Sequence, residues 1–248
     1  MSNQVVGEIR LFAGDFTPAG WVPCNGQFLR IADNGALFHL IGNTFGREGD
    51  TFGIPKLAEV PSLKGGNLRY ILSNSGGWPA GGIEAFPGEI RLMLNPSADF
   101  LPRNCVRCEG QLVPATDTLR NTLGNRFGGD GITQLGIPQL TFSDPNISYL
   151  LCTQGPPFAR DPIRFEPIIL TDSYLAEVKA FAGANLPGGY LSLEQQSMLI
   201  SASFPALFAL LGNRFGQGPG SFGTPQLAPL SADLPFFICT QGIFPTER

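Results

Sequence analysis

The chain has one histidine, His39, three lysines (Lys56, Lys64 and Lys179) and no basic run. Nucleic-acid binding draws on clustered Lys and Arg, so a formal charge of −4 argues against DNA or RNA as a ligand. A Ser-His-Asp or Cys-His site would have to use His39, which falls within a helical apolar stripe and reads as structural. Structural zinc needs three or four closely spaced Cys or His ligands; here Cys105-x-x-Cys108 stands alone. No stretch approaches the ~18 apolar residues of a membrane span, so no membrane insertion is expected. The N-terminal MSNQVVGEIRLFAG lacks the basic region and long apolar core of a secretory signal. Synthesis in the cytoplasm is expected, with lysis or a particle as the way out. No cofactor, no metal and no catalytic residue is expected.

Glycine (32) and proline (22) are abundant. A hydrophobic content of 43% with 20 Phe is too apolar for a disordered chain, so the expectation is a turn-rich fold, mainly β with short helices. Its organising feature is a repeat. Leu40 to Leu57 reads LIGNTFGREGDTFGIPKL, and it returns as TLGNRFGGDGITQLGIPQL from Thr122 and as LLGNRFGQGPGSFGTPQL from Leu210. This splits the chain into α+β units at 1–80, 81–165 and 166–248. A unit near 80 residues buries only about 60% of its unfolded surface, so neighbouring units are expected to lend one another core.

Each unit opens with a strand: Gly7 to Leu11, Gly88 to Leu92 and Ala176 to Ala180. A period of two puts the apolar residues on one face and the pairs Glu8/Arg10, Glu89/Arg91 and Glu177/Lys179 on the other. Charges on strands mostly face water, which predicts a solvated face with weak ion pairs. The alternative is that they meet counterparts on a neighbouring unit.

Asn25-Gly26 is a hairpin-turn signal. Short helices are expected at Asn34 to Ile41, Asp117 to Leu123 and Phe204 to Leu211, with Asp33, Thr116 and Ser203 as N-caps and Gly42, Gly124 and Gly212 as C-terminal caps at positive φ. Strands opening at Tyr70, Tyr149 and Phe236 close the units. The opener lies 15 residues after Pro55 but 11 after Pro138 and Pro225, so the first unit carries a longer connection, Ala58–Arg69. Linkers are expected at Ser75–Phe86 and Gly155–Thr171. The repeat pairs Cys24 with Cys108 and Cys152 with Cys239 as buried thiols, leaving Cys105 unaccounted for. Glu48, Asp50 and Asp130 have no counterpart in the third loop, which argues against a repeated calcium site. Phe45, Phe127 and Phe215 are expected to pin each loop to its own unit; failing that, they form a stacking surface for a sugar or a partner.

GEIRLFAGDFTPAGWVPCNGQFL, followed by ALFHLIGNTFGREGDTFGIPKL, resembles the phage tail collar domain, the module of short tail fibres and of bacterial proteins called microcystin-dependent protein. The second unit keeps Gly-Glu-Ile-Arg, Cys-x-Gly-Gln and the glycine loop; the third keeps the loop, helix and closing strand. The ending ICTQGIFPTER resembles the usual ending of those bacterial proteins. The resemblance implies a structural or adhesive role in a tail fibre, tail tip or related extracellular assembly, and no enzyme. It implies as partners copies of the chain or other tail or fibre proteins. In the fibres the collar is trimeric, and three tandem copies can fold into a pseudo-threefold body in which one chain does what three do elsewhere. The histidine-rich metal core of short-fibre tips has no match here, so no receptor or metal residues carry over. The candidate assembly or ligand contacts are Glu8, Arg10, Glu89, Arg91, Glu177, Lys179, Phe45, Phe127 and Phe215. The alternative is a carbohydrate-binding adhesion module for cell-surface glycan, using the loop aromatics Phe45, Phe52, Phe127, Phe215 and Phe222.

Overall fold

A computed structural model describes residues 4–81, 83, 85–94, 101–155, 173–183 and 188–246. Residues 156–171 of the second linker and residues 82 and 84 of the first lie outside them. The first unit contains β1 (Glu8–Phe12), β2 (Trp21–Pro23), β3 (Phe28–Arg30), α1 (Gly35–Ile41), β4 (Arg47–Glu48), β5 (Thr51–Gly53), β6 (Val60–Pro61) and β7 (Asn67–Ser73). The second contains β8 (Glu89–Leu94), β9 (Cys105–Arg107), β10 (Leu112–Pro114), α2 (Asp117–Leu123), β11 (Gln134–Gly136) and β12 (Ile147–Cys152). The third contains β13 (Glu177–Phe181), β14 (Tyr190–Ser192), β15 (Met198–Ile200), α3 (Pro205–Leu211), β16 (Gln217–Gly218), β17 (Ser221–Gly223) and β18 (Phe236–Cys239).

The three opening strands meet in a closed triangle. The end of β1 pairs with the start of β13 (Leu11 with Val178, Phe12 with Glu177). The end of β13 pairs with the start of β8 (Ala180 with Ile90, Phe181 with Glu89). The end of β8 returns to the start of β1 (Leu92 with Ile9, Met93 with Glu8). Position four of one strand faces position two of the next at all three junctions, so the body has pseudo-threefold symmetry. Each opening strand pairs along its other edge with the closing strand of its own unit, β7, β12 or β18, which in turn carries β2, β9 or β14.

The core follows the same cycle. The first unit's helix and loop residues Leu37, Leu40, Phe52 and Ile54 pack with Leu94 and Ile147 of the second. Leu119, Leu123 and Leu135 of the second pack with Ala180, Ala182 and Leu234 of the third. Leu207, Leu210, Phe215 and Phe222 of the third pack with Leu11, Trp21 and Leu68 of the first. No unit closes its core alone, as their size demands.

Two local expectations change. Asn25 and Gly26 do form a turn, with Gly26 at φ +80° and the Gln27 N–H donating to Asn25 Oδ1. It is not a hairpin, because β2 pairs with β7 while β3 pairs with β5; long-range pairing wins over the local signal. Thr116 caps α2, accepting from the Leu119 N–H at 3.2 Å. Asp33 and Ser203 cap nothing. The first lies in a 3-10 turn that hands over to Asn34, and the second is displaced because α3 begins on Pro205, whose missing N–H needs no cap. Gly42, Gly124 and Gly212 end the three helices at φ 55°, 57° and 55° with ψ of −128°, −139° and −140°. That combination is essentially open to glycine alone.

Candidate functional site: a buried ion ring on the pseudo-threefold axis

The six strand charges are 1–5% exposed, which overturns the expectation of a solvated face. Each opening strand turns its charged face toward the axis, where the other two strands present theirs. Arg10 holds both carboxylate oxygens of Glu8 at 3.0 Å and reaches Glu177 at 3.1 Å. Lys179 bridges Glu177 at 3.5 Å and Glu89 at 2.7 Å. Arg91 pairs with Glu89 at 2.6 Å and closes the circle on Glu8. Every acid therefore binds the base of its own strand and the base of one neighbouring unit. The ring holds three acids and three bases and is neutral.

Glu89 shows how so many buried charges persist. Burial pushes its carboxyl pKa up, but the Arg91 and Lys179 cations, with hydrogen bonds from Lys179 and the Phe86 N–H, outweigh this and hold it below the ordinary value. The Tyr174 N–H donates to Glu177 in the same way as the Phe86 N–H does to Glu89. Both donors belong to equivalent turns ahead of the opening strands, whose third residues, Gly88 and Ala176, lie at φ 83° and 69°.

The residues that cage the ring are ones the strand pattern alone does not single out. Arg10 lies 4.8 Å from the Trp21 ring centroid and 5.9 Å from that of Tyr174. Lys179 donates to Ser173 Oγ, which lies 2.8 Å from the Tyr190 hydroxyl. Trp21, Cys105 and Tyr190 occupy one position, each opposite the end of its closing strand at Ser73, Cys152 and Cys239. Cys105 thus fills the second unit's version of an aromatic slot, 3.2 Å from the Cys152 sulfur. Aligning the three copies on this column was the available signal. Burial raises the thiol pKa of Cys24, Cys108, Cys152 and Cys239, the last to about 12, which keeps them as inert packing groups.

At the centre of the triangle Ile9, Ile90 and Val178, with Leu11, Leu92 and Ala180, line a cavity of about 40 Å³ that Arg10, Arg91, Glu177 and Lys179 also border and that Tyr70, Tyr149 and Phe236 rim. Beside it, between the first and second units, lies a cleft of about 710 Å³. It is lined by Lys56 to Pro61, Tyr70 and Phe142 to Pro145. Tyr70 and Phe142 meet edge to face at 5.8 Å. Such a cleft can take a ligand of several rings or a short peptide.

Phe45, Phe127 and Phe215 each join the core of their own unit. Phe52, Phe215 and Phe222 are fully buried, with Phe45 and Phe127 half-buried, so the five loop aromatics do not form an exposed sugar-stacking platform. Asp130 organises its loop, accepting from the N–H groups of Ile132, Thr133 and Gln134 at 2.7–2.8 Å. His39 is exposed on α1, with its ring centroid 5.6 Å from that of Trp78. Among the described residues no three or more His, Cys, Asp or Glu lie where they could hold a metal ion.

The phage tail collar domain matches the chain three times, over residues 7–60, 88–143 and 176–230, which together make more than half of it. The chain belongs to the phage tail collar family. Each match begins at or beside the positive-φ residue ahead of an opening strand and runs through the helix, the glycine loop and Gly-x-Pro. The ion ring is therefore assembled from three collar domains of one chain. The family is a structural one of phage tails and points to a virion or extracellular component. Among the described residues no helix is long and apolar enough to cross a membrane. No curated protein matches the chain, and no solved structure does.

Proposed function

We propose that this chain is a non-enzymatic structural module of a phage-tail-like fibre, tail tip or related extracellular assembly, in which one polypeptide supplies a complete threefold collar. The observation that carries this reading is the closed cycle of strand pairs and ion pairs. Head-to-tail contacts of this kind close a ring when their rotation allows it, and here the third contact returns to the first unit. A body closed in this way needs no sister chains for its core. Its outer faces are left for other tail or fibre proteins, with the units taken as 1–80, 81–165 and 166–248.

Light scattering with negative-stain electron microscopy tests this. The expected result is a compact three-lobed particle of 26.5 kDa that attaches to tail or fibre proteins. Obligate trimers or filaments of the purified chain would overturn it.

A second reading is favoured by the cleft between the first two units. With Tyr70 and Phe142 as stacking rings and Lys56, Glu59 and Asp144 at its lip, it suits a surface saccharide better than the buried loop aromatics do. A glycan array on which the purified chain and Tyr70→Ala give the same blank pattern would end this reading.

A further inference from the structure

The three junctions of the ring are alike in register but not in connectivity. The first unit runs into the second and the second into the third along the chain, whereas the junction of the third with the first has no linker. The longer connection of the first unit lies at this seam. Its extra residues make a hairpin of Val60–Pro61 with Asn67–Leu68, closed by the Ser62 N–H donating to Gly66 O at 2.9 Å.

The turn of that hairpin is bonded to the third unit. The Leu63 N–H donates to Gln226 O at 2.9 Å, and the Gln226 N–H donates to Ser62 Oγ at 3.0 Å. Gly66 lies against Phe215 so closely that a Cβ there would stand 2.8 Å from two ring atoms and 2.9 Å from Arg214 O. Gln226 corresponds to Lys56 in the repeat. At the junction of the first and second units the shorter loop Phe142–Pro145 leaves the space beside Lys56 as the 710 Å³ cleft. The same gap is thus filled at the one junction that lacks a covalent link. Other bonds cross the seam away from the hairpin, among them the Arg214 guanidinium donating to Ala13 O and the Ala19 N–H donating to Thr246 O at 2.8 Å.

We propose that the Ala58–Arg69 connection is a clasp that closes the seam within one chain, and that a seam without it accepts the matching face of a second copy of this chain. This rests on the single-chain reading above. A head-to-tail contact can close on its own chain or run on into another, and small changes in local closure decide between ring and swapped oligomer.

The test compares Gly66→Ala with Gly65→Ala. Both glycines lie at positive φ, +75° and +102°, so both substitutions strain the turn, but a Cβ at Gly65 meets nothing within 4 Å. Amide hydrogen exchange reads each junction separately. Ala13 donates to Ala176 O across the seam at 3.1 Å, Leu94 to Gly7 O at 2.9 Å, and Ala182 to Gly88 O at 2.8 Å. Gly66→Ala is expected to speed exchange at Ala13 about tenfold or more relative to Leu94 and Ala182, and to populate concentration-dependent dimers by light scattering. Gly65→Ala is expected to behave as wild type in both. Should Gly66→Ala fold poorly, Ser62→Ala, which removes the acceptor for the Gln226 N–H across the seam and for the Lys64 N–H within the turn, gives a milder form of the same pattern. Equal acceleration at all three amides, or none at Ala13, would overturn the clasp. A wild-type trimer would instead overturn the single-chain reading, a result recorded before any variant is made.

Discussion

The junction between the first and second units and the seam between the third and first have the same register and the same form of ion pair, Glu8 with Arg91 in one and Glu177 with Arg10 in the other. They differ in what surrounds that pairing. One has a covalent linker and an open cleft; the other has no linker, and a hairpin fills the equivalent space. The difference teaches that strand pairing and charge pairing set the geometry of a junction, while the loops around it decide whether the junction stays within the chain.

The largest way to break the comparison is to remove one acid from the ring. Glu8→Ala and Glu177→Ala each leave two buried cations short of a partner, and each is expected to cost about 3–5 kcal/mol in urea unfolding. The two should differ in place. Glu177→Ala should speed amide exchange at Ala13, on the seam, and Glu8→Ala at Leu94, on the linked junction. Identical exchange patterns would mean that the ring acts as one body with no junction-specific part.

Acid titrates the third junction, where Glu89 meets Lys179. The folded pKa of Glu89 is lowered, so its contribution is fully present above its unfolded value of about 4.3 and is lost as pH falls through the lower folded value. Stability measured from pH 7 down to pH 3 should therefore decline most below about pH 4.3. Glu89→Gln should flatten that part of the slope, and an unchanged slope would discount the ring as the acid-sensitive element.

Smaller effects sharpen the contrast from outside the junctions. Ala at Gly42, Gly124 or Gly212 meets no neighbour within 4 Å, so backbone strain alone should cost about 1–2 kcal/mol at each, visible as a lowered melting temperature. None of the three should shift exchange at Ala13 relative to Leu94. Thr116→Ala, which deletes the side-chain cap of α2, should cost about 1 kcal/mol and leave both junctions alone.

Much of the fold is legible in the sequence because it is local and repeated. Gly-Glu-Ile-Arg gives a strand, the apolar stripe of Leu207, Leu210 and Leu211 gives a helix, and Gly212 ends it. The errors share one cause. Asn25-Gly26 reads as a hairpin, Glu8 and Arg10 as a wet face, and Phe52 and Phe222 as available rings, because a segment taken alone has only water as its neighbour. In the folded chain the neighbour is a distant segment, of the same unit for Asn25-Gly26 and of another unit for the strand charges; it lies 201 residues away for the Arg214–Ala13 contact. The cage of Trp21, Tyr174 and Tyr190 around the ring is harder to see still, since its members differ in type from unit to unit.

What the sequence determined alone is the threefold repetition, the alternation that segregates the charges from the apolar residues of each opening strand, and the extra length of Ala58–Arg69. These are properties of spacing, and spacing is carried by a single segment. Only the tertiary structure decided that the charged faces turn inward and close a neutral ring, that cores are shared in a cycle, and that the added residues lie across the seam. Those outcomes depend on pairing between strands distant in the chain, where burial of one unit's face is possible only because the next supplies the complementary charge and shape.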